Sequence, residues 1–224
     1  MEVVKPVKRN VLLNPGPATT SDRVKYAQVI PDICPREQEF VDVMADARKD
    51  LVRVVHGDPE KYSAVIFTGS GTIIQDVLVN SLVPEDKKIC VVNNGAYAAR
   101  MVDIAGLYQI PCVDLESDST QLPDLDYIRQ SIERDKDIAV VIAVHHETGT
   151  GVLNPIREIG QIAHDNQCVF VVDTISTYGL RPLDIEKENI DFLMSSAQKG
   201  LAGMTGASWA VGNIAEIEKS KNYP

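Results

Sequence analysis

The chain has 224 residues, 44% hydrophobic and 24% charged. That is the balance of a globular protein, and it excludes a disordered chain. At this length one large domain or two small ones bury a core without staples. Basic residues number 22 and acidic residues 32, for a net charge of −10 with no run of Lys or Arg; nucleic acid and anionic membrane surfaces are therefore not expected as partners.

In chain order, the N-terminus MEVVKPVKRN lacks the apolar core of a signal peptide. Phe40, Val41, Met44, Ala47, Leu51 and Val54 fall on one helical stripe. A first strand is predicted at 64–67, followed by the turn Thr68-Gly-Ser-Gly-Thr72 and a helix over 73–82. A second strand at 88–92 leads through Asn93-Asn-Gly-Ala-Tyr97 into a helix carrying Met101, Ile104 and Ala105. A third strand is placed at 110–113, and Leu125, Ile128 and Ile132 mark a helix. The run 138–144 is the longest apolar stretch; it has the length of a strand, against about 20 residues for a membrane span. Ile156, Ile159, Ile162 and Ala163 mark a helix, and strands follow at 168–172, 190–194 and 207–211. Continuous apolar runs suit strands covered on both faces. Their alternation with helices predicts an α/β fold with a mostly parallel seven-stranded sheet and helices on both faces. Residues 1–20 read as an N-terminal arm and 21–224 as one domain.

Cys34, Cys90, Cys112 and Cys168 are scattered with no CxxC, and read as free, buried thiols in a reducing, cytoplasmic setting. His145 and His146 are adjacent, but no HxH or HxxxH occurs, so no metal site is expected.

In parallel sheets ligands bind beyond the carboxyl ends of the strands. Five segments that follow apolar runs are polar and Gly-rich: 68–72, 93–97, 145–151, 173–176 and 195–200. In the first, small residues and a helix start offer backbone N–H donors, and Ser70 and Thr72 add hydroxyls, as a phosphate requires. The alternative is an ordinary capped helix start. Asp173 ends a strand, where a carboxylate either pairs with a ring nitrogen or caps the next segment. Lys199 is set among small residues without an acidic neighbour in sequence, as Schiff-base chemistry favours. Phosphate cradle, carboxylate and lysine together match the phosphate, ring nitrogen and aldehyde of pyridoxal 5′-phosphate. Tyr97 is placed to stack on the ring and Thr148 to donate to its hydroxyl. A non-catalytic nucleotide-binding α/β module is the competing reading.

The motifs Gly-Ser-Gly-Thr (69–72), Asn-Gly-Ala-Tyr-Ala-Ala-Arg (94–100), His-His-Glu-Thr-Gly-Thr-Gly (145–151), Val-Val-Asp-Thr-Ile-Ser (171–176) and Ser-Ala-Gln-Lys-Gly-Leu (196–201) resemble, in order and spacing, the class V aminotransferases of the fold-type I pyridoxal phosphate enzymes. The stretch Leu12-Leu-Asn-Pro-Gly-Pro-Ala-Thr-Thr-Ser21 is similar to the branch acting on 2-aminoethylphosphonate. The resemblance implies transfer of that donor's amino group to pyruvate, giving phosphonoacetaldehyde and alanine; alanine or serine with glyoxylate or pyruvate is the alternative pairing. It implies Lys199 as the Schiff-base residue and carrier of the Cα proton, and Asp173 on the pyridine nitrogen, with a low pKa beside that cation. It assigns Ser70, Gly71, Thr72 and Gln198 to the phosphate, Tyr97 and Ile175 to the two ring faces, and Thr148 to the ring oxygen. It also implies a homodimer. Members run longer and end in a small domain carrying an Arg for the substrate anion. Residues 21–224 are thus expected to be the cofactor-binding large domain, with the C-terminal small domain absent and poor turnover by this chain alone. Arg36 and Arg100 are the remaining cationic candidates, Arg100 being expected to face structure.

Overall fold

The structure is a computed structural model and describes residues 10–223; the first nine residues of the expected arm lie outside the described residues. Nine strands are described: β1 Tyr62–Gly69, β2 Lys88–Asn93, β3 Cys112–Glu116, β4 Ile138–Val144, β5 His146–Glu147, β6 Val152–Leu153, β7 Val169–Asp173, β8 Phe192–Ser196 and β9 Gly206–Asn213. The seven helices are α1 Asp22–Tyr26, α2 Gln38–Val54, α3 Gly71–Ser81, α4 Ala96–Leu107, α5 Leu125–Arg134, α6 Ile156–Asp165 and α7 Ile214–Ser220.

Seven strands form one sheet in the order β1-β9-β8-β7-β4-β2-β3. The pairs from β8 through β7, β4 and β2 to β3 are parallel, whereas β9 is antiparallel to both its neighbours. Six of the seven strands therefore point the same way, as expected from the sequence. The central strand β4 is apolar along its length and almost wholly buried, because helices cover both sides of it. One face packs Leu51, Ile128, Ile132, Ile159 and Ile162 from α2, α5 and α6. The other packs Ile74, Leu78, Met101 and Ile104 from α3 and α4. The start of α5 shows why these helices begin where they do: Asp124 accepts from the N–H groups of Asp126 and Tyr127 at 2.9 and 3.1 Å, satisfying two otherwise orphaned donors.

Several expectations need correction. The third strand begins at Cys112 rather than Ile110, since pairing with β2 starts at Ile89↔Cys112. Of the α2 stripe Leu51 alone is buried; Val41 and Val54 are 49% and 40% exposed. The cysteines are free as expected, but Cys34 is exposed, not a buried apolar filler. The segment 145–151 is not a plain loop; it contains β5 and the turn that leads into β6. Among the described residues no helix is long and apolar enough to cross a membrane.

Candidate active site

From β2 the chain steps out to β3, then returns to β4 and proceeds the other way to β7 and β8. Such a reversal opens a crevice at the carboxyl ends of the strands. All five segments singled out by the sequence leave that same edge, after β1, β2, β4, β7 and β8.

The segment after β1 runs directly into α3. Ser70 is the N-cap residue, yet its hydroxyl makes no capping bond, and the first turn carries no acidic residue. The helix start thus keeps free N–H donors and an uncompensated positive dipole end, which is not an ordinary capped start. Ser70 and Thr72 are exposed at its rim and Gly71 is buried. A Cβ on Gly71 would lie 2.7 Å from Ile175 Cδ1 and 3.5 Å from Ser196 Oγ, so the backbone here passes close to both side chains. Among the described residues, the buried Ser196 Oγ and Gln198 Oε1 find no hydrogen-bond partner. Uncapped helix N–H groups, surface hydroxyls and the orphaned Ser196 hydroxyl suit a group rich in acceptor oxygens.

Asp173 ends β7 and is 3% exposed. Its Oδ1 accepts from the Ile175 N–H at 2.9 Å and its Oδ2 from Gln75 Nε2 at 2.7 Å. One oxygen therefore caps the following turn, as one of the two sequence readings has it, and the other is held by Gln75. Burial pushes its pKa up to about 6, against the smaller downward pulls of these two donors. This describes the free chain; the low pKa expected beside a ring cation concerns the cofactor-bound site. Its contacts are a backbone amide and a neutral side chain, and Arg100 is the weakest of the influences acting on it. Sequence reasoning missed Gln75, which is fully buried and links Asp173 to α3. The signal was available: a polar side chain between Ile74 and Leu78 on the inward face of that helix.

Lys199 sits in the short connection between β8 and β9. That connection is closed on itself by Ala197 N–H to Ala207 O (3.0 Å) and Gly203 N–H to Ala197 O (2.8 Å). Gly200 is required there, because a Cβ would meet Tyr178 O at 2.1 Å. The arm passes directly over the lysine: a Cβ on Gly16 would fall 2.6 Å from Lys199 Cδ and 2.7 Å from Nζ. Ala18 N–H donates to Gln198 O at 2.7 Å and fastens the arm in place. Asn14, Gly16, Ser176, Leu180 and Lys199 are among the walls of a cavity of about 380 Å³.

Tyr97 lies in the first turn of α4, half-buried, with the Arg100 guanidinium 5.2 Å from its ring centroid. Arg100 therefore faces structure, as expected, and Arg36 is exposed in the loop before α2. Thr148 is half-buried in the β5–β6 turn. Also missed was Glu147, which is 1% exposed and accepts from Ala98 N–H at 3.0 Å and Tyr97 N–H at 3.5 Å. A carboxylate that caps a helix from a distant hairpin leaves no local spacing to read.

The family model of Aminotransferase class-V matches residues 22–221, and the chain belongs to this family. Its members are pyridoxal 5′-phosphate dependent. The chain is 36% identical, over 94% of its length, to the bifunctional phosphonoacetaldehyde hydrolase/aminoethylphosphonate transaminase of Clostridioides difficile, and covers 33% of that protein. It is likewise 36% identical over 94% of its length to the 2-aminoethylphosphonate–pyruvate transaminase of Klebsiella pneumoniae, covering 57% of it. Among solved structures, an alanine–glyoxylate aminotransferase from Nostoc sp. superposes with a TM-score of 0.85 at 25% identity, over 98% of this chain and 58% of that one. The fold is that of the fold-type I large domain, and the chain spans about a third to three fifths of the length of these relatives.

Proposed function

We propose that residues 21–224 are the pyridoxal phosphate-binding domain of a transaminase that moves the amino group of 2-aminoethylphosphonate to pyruvate, yielding phosphonoacetaldehyde and alanine. The observation that carries the reading is Asp173, an almost wholly buried carboxylate at the end of β7, held by neutral donors and tied through Gln75 to the uncapped start of α3. A buried acid of this kind is at rest only when it shares a proton or meets a cation. A pyridine nitrogen supplies that partner. The choice of donor and acceptor rests on the similarity to the aminoethylphosphonate transaminases.

When bound, pyridoxal phosphate supplies an electron sink for the bond broken at the substrate's Cα. Asp173 holds the proton on the ring nitrogen. Ser70, Gly71 and Thr72 bind the phosphate with Gln198, and Ser196 Oγ joins them as the orphaned donor nearest Gly71. Tyr97 and Ile175 take the two ring faces, and Thr148 the ring oxygen. Lys199 would hold the aldehyde end of the cofactor, and its Nζ would serve as the base and acid for the Cα proton. The complete enzyme is a cytoplasmic homodimer that acts on a small amino donor and a 2-oxo acid. The four free cysteines support the compartment, and sedimentation of an active species at monomer mass would contradict the dimer.

The test is spectroscopic. The chain is reconstituted with pyridoxal 5′-phosphate and treated with 2-aminoethylphosphonate, alanine or serine. A yellow, borohydride-sensitive chromophore bleached by 2-aminoethylphosphonate is the expected result. Bleaching by alanine or serine alone would assign the alternative donors, and a colourless protein would overturn the cofactor assignment.

A further inference from the structure

Among the described residues, two carboxylates are buried, Asp173 and Glu147, and the proposed chemistry uses only the first. Glu147 reaches from the β5–β6 hairpin to the first turn of α4, where Oε1 accepts from Ala98 N–H at 3.0 Å and Oε2 from Tyr97 N–H at 3.5 Å. The residue at the N-cap of α4 is Gly95, which has no side chain to cap with. A Cβ there would lie 2.4 Å from Glu147 Cδ and 2.5 Å from Oε2. The carboxylate thus occupies the space of the missing cap side chain and does its work, with its charge at the positive end of the helix dipole. The Tyr97 ring is steadied separately, with the Arg100 guanidinium 5.2 Å from its centroid. Glu147 fixes the backbone on which that ring swings, and its neighbour in sequence is Thr148.

We infer that Glu147 is a positioning residue: through Tyr97 it sets one wall of the cofactor pocket and ties that wall to the hairpin bearing Thr148. The inference rests on reading the crevice as a pyridoxal phosphate site. Glu147 itself touches neither cofactor nor substrate, so its effect must pass through the tyrosine.

The experiment titrates the chain and its variants with pyridoxal 5′-phosphate. Affinity and the visible circular dichroism of the bound cofactor are read alongside the melting temperature of the cofactor-free protein. Glu147→Gln keeps the shape but replaces one acceptor oxygen by a donor. It is expected to weaken binding about fivefold, the size of one aromatic stacking contact, and to change the visible dichroism. In a Tyr97→Ala background the same substitution is expected to change neither. Gly95→Ala pushes the carboxylate off its seat while leaving Glu147 in the sequence, and should give the same spectral change. An equal loss with and without Tyr97 would overturn the inference, because a generally structural role acts on the whole pocket. Unchanged affinity and dichroism in both Glu147→Gln and Gly95→Ala would overturn it too, leaving the cofactor site intact. Absence of binding by the parent chain would overturn the pocket reading and the inference together.

Discussion

Asp173→Asn should stabilise the cofactor-free chain at neutral pH, by an amount that disappears in acid. Unfolded, the carboxyl has an ordinary pKa of 3.8; folded, burial raises it to about 6. Between those values the folded state binds more protons than the unfolded state, so stability falls as pH rises through that window and the full cost is present above it. The gap corresponds to about 3 kcal/mol, at ~1.4 kcal/mol per pH unit. The introduced amide removes that charge. It also finds a partner, because the buried Gln75 Oε1 is unmatched among the described residues and a flip of the Gln75 amide turns this oxygen toward position 173. The assay is urea unfolding of both cofactor-free proteins at pH 4 and pH 7.5. A stabilisation of about 3 kcal/mol at pH 7.5 that shrinks toward nothing at pH 4 is expected. The same substitution should abolish most turnover of the reconstituted enzyme. Equal stabilisation at the two pH values, or a loss at pH 7.5, would refute the assignment of a buried, strained charge.

Lys199→Ala should leave folding intact and remove the borohydride-reducible chromophore; its persistence would move the Schiff base to another lysine. Ser70→Ala should cost less than the ~1 kcal/mol usual for a lost N-cap, since its hydroxyl makes no cap bond, while weakening pyridoxal phosphate binding; a full cap-sized loss in urea unfolding would contradict this. At the opposite end of the sheet, His164 Nε2 meets Asp191 Oδ2 at 2.8 Å, and that bond is the main cause holding the histidine pKa above 6.5. A raised pKa in the folded state means the charged pair stabilises below about pH 6.5 and fades as pH rises through the folded value. His164→Gln should therefore lower the melting temperature more at pH 5.5 than at pH 8.5, and equal losses would show the contact to be charge-independent.

Much of the site was legible because its residues stand directly after apolar runs. Strands covered on both faces announce themselves as unbroken stretches such as 138–144, and their carboxyl ends then locate Asp173 and Lys199. The same logic failed where partners are distant in sequence. Gln75 meets Asp173 and Glu147 meets Ala98 only because the fold brings separate turns together. The direction of β9 was also hidden, since an apolar run reads alike whether it pairs parallel or antiparallel. The α2 stripe misled for another reason: periodicity reports that one face is apolar, not how much of it is covered, and Val41 is left half exposed.

The sheet position of β1 has a consequence for how the site comes into being. Among the described residues its sole partner in the sheet is β9, with Tyr62 paired to Asn213 and Gly69 to Gly206. The cradle at Gly71 hangs on the end of that strand. On the ribosome, a chain grown as far as β8 carries both the Asp173 and the cradle residues, yet β1 has nothing to pair with. Pairings this distant in sequence form late, since loop closure must come first. Pyridoxal phosphate should therefore be captured only after residue 213 or so has emerged, making cofactor uptake follow the closing of this sheet.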